Sequence, residues 1–263
     1  MSVPTEASLT VREGSVVGTI WYPNSTDEQY KQVRKSGRYY DFRTLRYIAA
    51  VTKIRKAKVV YDVGTCFANH ALYFSSILGS HVECFEPNVR LLPYIDKTMT
   101  GARASYNLHN VALGDQEGFG ATSEVEENLG SSKFIAAAPA SPASGTELTT
   151  LDTFIATKSL KDPDIVKIDT EGFECKILRG AKKMLERASP ELFVEITPEN
   201  KDEAMALLDE FGYRRVLFNA GKNYHYSKTM DVPARLSLTA QAIWIDAQTS
   251  LIRNRISLFG NKA

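Results

Sequence analysis

Long apolar runs are missing from this chain. None of its 263 residues belongs to a stretch near the roughly 20 apolar residues needed to cross a bilayer, so no membrane partner is expected. A secretory core is missing as well, since the opening segment carries Glu6, Arg12 and Glu13. Cysteine is scarce: Cys66, Cys84 and Cys175 are odd in number and far apart. That excludes a disulfide framework or a cysteine zinc site and points to a reducing, cytoplasmic setting. Asn24-Ser25-Thr26 fits a glycosylation acceptor, which stays idle without a secretory route. Neither sign of charge dominates, with 32 basic and 31 acidic side chains. This balance gives no electrostatic reason to expect a nucleic-acid partner. Oligomeric state is left open, a homo-oligomer included.

The composition is that of a folded domain, 43% hydrophobic and 24% charged. From Lys58 onward strand-like and helix-like patterns alternate, the signature of a parallel sheet covered by helices. Strands are expected at Val59–Asp62, His81–Glu86, near Ser105–Leu113, at Ile165–Asp169, Leu192–Ile196, Tyr213–Phe218 and Ala240–Ile245. The pattern predicts an α/β, Rossmann-like fold with a seven-stranded, mostly parallel sheet and helices on both faces. Residues 1–56 read as a small N-terminal helical extension, with Tyr39, Phe42, Leu45, Ile48 and Ala49 near helical spacing for core packing. Residues 57–263 read as the cofactor-binding domain, with a flexible insertion at 118–149 whose tail, Ala136–Gly145, buries little.

Ligands of open α/β sheets bind beyond the strand ends, where strand order reverses. Asp62 lies at such an end, and Gly64 permits the tight turn after it. Glu86 ends the second strand at about the 20-residue offset at which a carboxylate grips a ribose diol, and Pro87 then stops the strand. A dinucleotide fingerprint would place further glycines where Cys66 and Asn69 stand, which disfavours a nicotinamide oxidoreductase. Asp62 would also repel a pyrophosphate, whereas S-adenosylmethionine brings an ammonium and a sulfonium.

Further segments extend the pattern. They are Val59 to Gly64, Phe85-Glu86-Pro87-Asn88, Asn110 to Asp115, Asn128-Leu129-Gly130-Ser131-Ser132, Leu151-Asp152-Thr153-Phe154, Asp164 to Glu174 and Leu178-Arg179-Gly180-Ala181. In this order they resemble the FkbM-type family of S-adenosylmethionine-dependent methyltransferases. The most specific is Val166 to Glu174, where the family reads K-I-D-x-E-G-x-E. The resemblance implies O-methyl transfer, often to a sugar or natural-product hydroxyl, with a small-molecule or glycan acceptor. It also implies cofactor binding by Ala112, Leu113 and Asp115 after the third strand, where Asp115 accepts from the adenine amino group and Val111 and Ala112 offer apolar contact, beside Thr65 and Asn69 in the first loop. That loop departs from the family's D-V-G-A-N-x-G-N at Thr65, Cys66 and Ala68. Ala68 is expected to crowd the cofactor with a methyl group. Cys66 lacks an amide, a loss of about 1 kcal/mol or tenfold in affinity. These departures motivate a rival reading, a cofactor-binding protein without turnover.

Methyl transfer is an in-line displacement, so positioning dominates and a base or metal assists the acceptor hydroxyl. Period two puts Lys167 and Asp169 on one face. The predicted catalytic set is Asp169, Glu171 and Lys167. Asp169 and Glu195 are hard oxygen donors for a divalent cation, magnesium or manganese. His70 either faces the cofactor's methionine end or, the favoured expectation, is a packed, hydrogen-bonded histidine, and the Tyr-rich stretch near Tyr224 is an acceptor-pocket wall or surface loop.

Overall fold

The computed structural model describes residues 6–123, 128–136 and 145–230, with Pro233, Ser237, Leu238 and Ala240. The N-terminal segment is not purely helical. It opens with an antiparallel hairpin, β1 (Ala7–Glu13) and β2 (Val16–Tyr22), before α1 (Glu28–Ser36) and α2 (Phe42–Arg55). The signal for the hairpin was there: Val11, Ile20 and Tyr22 alternate with more exposed residues, and Gly14, at φ 59°, makes the turn. The predicted stripe packs as expected, with Tyr39, Leu45 and Ile48 buried and Phe42 and Ala49 against them.

The main sheet begins with β3 (Val59–Val63), α3 (Asn69–Ser76), β4 (His81–Phe85), α4 (Leu92–Gly101) and β5 (Tyr106–His109). The third predicted strand then breaks. Its second half, β6 (Ala112–Gly114), leaves to join β7 (Gly118–Ser123), β8 (Lys133–Ala136) and β9 (Thr146–Thr150) in a separate four-stranded sheet, order β6-β9-β7-β8. The described residues of the predicted insertion are therefore mostly strand. The part of its tail at 137–144 lies outside the described residues.

The chain returns through α5 (Leu151–Lys158), β10 (Ile165–Ile168), α6 (Glu174–Gly180), α7 (Lys182–Ala188), β11 (Glu191–Glu195) and α8 (Lys201–Glu210). A hairpin, β12 (Arg214–Ala220) and β13 (Asn223–Ser227), completes the sheet in the order β12-β13-β11-β10-β3-β4-β5. Pairing is parallel from β11 through β5, and β13 runs antiparallel to both neighbours. Among the described residues the seventh strand is 223–227, and the strand expected at Ala240–Ile245 lies, apart from Ala240, outside them.

Alternate residues feed two cores. Val60, Val82 and Cys84 pack with the N-terminal hairpin and α2 to α4, while Tyr61, Val63 and Phe85 pack with α5 to α8. A buried polar cluster bolts β13 in place. Glu191 meets His225 Nε2 at 2.9 Å, Ser227 Oγ at 3.1 Å and Arg55 Nε at 3.1 Å, while Tyr47 bonds His225 Nδ1 at 2.9 Å. The stretch read as a pocket wall is therefore a paired strand. Strand order reverses between β3 and β10, which places a crevice at their carboxyl ends.

Candidate active site

At that crevice the β3 and β10 loops touch. The Asp169 N–H donates to Val63 O at 3.0 Å, and Gly64 N–H donates to Phe85 O at 3.0 Å. Gly64 has φ 85°, and an added Cβ would lie 1.9 Å from Asp169 O. Only glycine meets both demands.

Two clefts open there. One is largely apolar, about 600 Å³, lined by Val63, Phe85, Pro87, Leu91, Val111, Ala112, Leu113, Leu129, Phe134, Phe173 and Ile177, with Glu86 and Ser132 among the polar groups. The other is polar, about 750 Å³, with Glu28, Gln29, Tyr40, Thr65, Asn69, His70, Lys167 and Glu195 in its wall. Gly64, Cys66, Gly130, Asp169 and Glu171 line both, so the clefts meet along one seam.

Glu86 is buried, with Oε2 accepting Cys66 N–H at 2.8 Å and Oε1 accepting Asn88 N–H at 2.9 Å. Each oxygen keeps a further lone pair for a ligand. Burial pushes its carboxyl up to about 7, against the two N–H donors. Asp62 lines neither cleft. It lies beneath the first loop, where burial pushes it up to about 6 although Lys167 Nζ stands 3.9 Å away. Its oxygens complete no hydrogen bond, and the Ala71 N–H only leans toward them.

Lys167 is buried between two carboxylates and donates to Asp169 Oδ2 at 3.0 Å. Burial works against its ammonium, but Asp169 and Asp62 overrule burial and keep it charged. Burial would likewise raise Asp169. Lys167 and a hydrogen bond from Glu195 outweigh that and hold it low, while the same bond drives Glu195 up. Asp169 is thus favoured in its charged form and Glu195 in its protonated one. Burial and then Asp169 also raise Glu171, which sits in the left-handed region at φ 55°. Its loop is braced by Glu174, which accepts from Gly172 N–H at 2.9 Å and Thr170 Oγ1 at 3.1 Å.

The predicted divalent-cation site at Asp169 and Glu195 gains no support: Lys167 already donates to Asp169 Oδ2 at 3.0 Å, and among the described residues no three His, Cys, Asp or Glu side chains converge to hold an ion. Asp115 is also misplaced by the sequence reading: it bonds Arg179 at 3.4 Å and lines a different hollow beside Asp152 and Lys183.

A family model described as the methyltransferase FkbM domain matches residues 62–215, more than half of the chain. The chain belongs to the FkbM methyltransferase family. A solved structure at a TM-score of 0.50 shares the fold. The 16S rRNA N2 G1207 methyltransferase of T. thermophilus, in complex with AdoMet and guanosine, is 14% identical with a TM-score of 0.50, over 86% of this chain and 51% of its own. A methyltransferase FkbM from Methylobacillus flagellatus KT is 16% identical with a TM-score of 0.47, over 65% of this chain. This chain spans 43% of that protein's length. A putative caffeoyl-CoA O-methyltransferase from Staphylococcus aureus is 12% identical with a TM-score of 0.44, over 75% of this chain and 90% of its own. None of the curated proteins compared matches closely enough to be a relative.

In this FkbM chain the departures in the first loop acquire a different meaning. Cys66 and Ala68 sit at φ 56° and 61°, the left-handed region where Asn and Gly rest at least cost. The family's residues there answer to backbone conformation. Ala68 is fully buried, lines neither cleft and, in the left-handed region, carries about 1 kcal/mol of backbone strain. The Cys66 backbone N–H, which any residue supplies, is the group that serves Glu86. Asn69 turns its amide to Tyr40, accepting its N–H at 2.8 Å and donating to its carbonyl at 3.0 Å.

One feature escaped the sequence. Tyr40 reaches the polar cleft from a segment outside the family match, placed there by Asn69. His70 faces the same cleft with Nε2 buried and unpartnered, and burial, then Lys167, drive its imidazole far toward the neutral form. Its place right after Asn69, at the start of the first helix of the sheet domain, was the available signal.

Proposed function

We propose that this protein is an S-adenosylmethionine-dependent O-methyltransferase acting on a hydroxyl of a sugar, glycan or natural-product small molecule. The observation that carries it is the seam: an apolar cleft with a ribose-ready carboxylate meets a polar cleft at Gly64, Asp169 and Glu171. The residues fit the cofactor. Ala112, Leu113 and Phe173 offer an apolar bed for adenine, Glu86 two acceptors for the ribose diol, and Asp62 a buried negative charge behind the loop. When bound, S-adenosylmethionine supplies an electrophilic methyl group on a sulfonium whose charge is lost on transfer.

The chain's own residues supply position and a proton sink. Asp169, fixed by Lys167, orients the acceptor hydroxyl at the seam, and Glu171, with its raised carboxyl, takes the proton. Lys167 is the one cation among the described residues lining the polar cleft, and it is engaged by Asp62 and Asp169. Glu28 and Glu171 would repel phosphates, which favours a small molecule or glycan over nucleic acid as acceptor.

The test is production of S-adenosylhomocysteine over a panel of sugars and phenols. Turnover with one of them supports the reading, and cofactor binding without turnover on any would make the chain a binder. The ribose role of Glu86 gives a sharper expectation. Glu86→Gln should weaken cofactor binding about tenfold, the worth of one hydrogen bond to a charged group. Because its carboxyl titrates at about 7, wild-type affinity should rise with pH through that value and the variant's should not. The sign for stability is opposite. Glu86 binds its proton more tightly folded than unfolded, so the free protein should lose stability as pH climbs from about 4.5 to about 7. A pH-independent wild-type affinity would remove Glu86 from the ribose.

A further inference from the structure

The segment preceding the family match supplies one wall of the polar cleft, through Glu28, Gln29 and Tyr40. The roof over the apolar cleft comes from elsewhere in the chain, through Leu129, Gly130 and Ser132. One side chain joins wall to roof. Asp27 Oδ1 accepts Gln29 N–H at 2.8 Å, which caps α1, and Asp27 Oδ2 accepts Gly130 N–H at 3.1 Å. Asp27 is fully buried and lines neither cleft, so it acts through neighbours such as these. Its own place is fixed by Asn24, whose Oδ1 accepts from Thr26 N–H at 2.9 Å and Asp27 N–H at 3.2 Å. That bonding also makes Asn24 a buried amide, unsuited to carry a glycan.

The contact continues inward. Gly130 lies so close to the first loop that an added Cβ would stand 3.3 Å from Cys66 Sγ and 3.4 Å from Asp27 Oδ2. The N–H of Cys66 in turn donates to Glu86. A continuous line of contacts therefore runs from the cap of α1, through Gly130 and Cys66, to the carboxylate assigned to the ribose.

We propose that Asp27 is a positioning residue that keeps the 129–132 roof closed over bound cofactor, making the N-terminal segment a working part of the cofactor site. The inference rests on the cofactor reading above. A carboxylate can serve two N–H donors at once, one on each oxygen. Asp27→Asn has the same shape but presents an amide N–H₂ to one of those donors. Asp27→Ser retains a residue that caps helices well, yet is too short to reach Gly130.

The experiment is stopped-flow release of S-adenosylhomocysteine from wild type and both variants, beside their melting temperatures. Both variants should release it about tenfold faster, the effect of one charge-assisted hydrogen bond, with folding retained. Unchanged release rates would overturn the proposal, even with a lowered melting temperature, because Asp27 would then be a helix cap and nothing more. Wild type that binds no S-adenosylhomocysteine would instead strike the cofactor reading itself, and this proposal with it.

Discussion

Gly64→Ala should lower stability by about 3 kcal/mol or more and the melting temperature by about 10 °C, and should abolish cofactor binding. Two independent penalties add. The backbone at φ 85° excludes a Cβ on conformational grounds, and the same Cβ would fall 1.9 Å from Asp169 O. That oxygen is main chain and cannot swing aside as a side-chain tip would. Relief requires the β3 and β10 loops to part, which opens the seam where the clefts meet. Thermal melting and a binding titration on one sample check both halves. A variant that melted like wild type and still bound cofactor would show that the loops do not approach as described.

Lys167→Met is the second large effect, about 3–5 kcal/mol of stability, the usual consequence of stripping one partner from a buried ion cluster. Methionine keeps the apolar stem but leaves Asp62 fully buried with no counter-charge and Asp169 without its 3.0 Å partner. The two carboxyls would then take up protons, so the loss should shrink as pH falls. Adding Asp62→Asn should recover a part of it, since one of the stranded charges disappears. Denaturant unfolding of the single and double variants measures this directly. If Lys167→Met were as stable as wild type, the ammonium would not be what holds these carboxylates charged.

Much of this arrangement could be read from residue order, for physical reasons. Val59 to Val63 and Ile165 to Ile168 are buried on both faces of the sheet, so their apolar runs announce themselves. Glu86 and the Lys167–Asp169 pair follow from strand ends and period two. What stayed hidden depends on distant partners. Asn223 to Ser227 is a polar, aromatic sequence that becomes a strand because His225 and Ser227 satisfy the buried Glu191. The small residues from Gly118 to Ser123 pair into a second sheet without an apolar pattern to betray it. Asp115 looked like an adenine ligand from its place after a strand, but the break between β5 and β6 carries it to Arg179. The metal reading gains no support, and a lysine 3.0 Å from Asp169 already sets a positive charge beside it.

The central claim is that the crevice between β3 and β10 binds S-adenosylmethionine. Isothermal titration of the folded chain with S-adenosylmethionine and, separately, with NAD tests it most directly. One site that takes the first and ignores the second is the expected result. No heat from S-adenosylmethionine, or a preference for NAD, would contradict it.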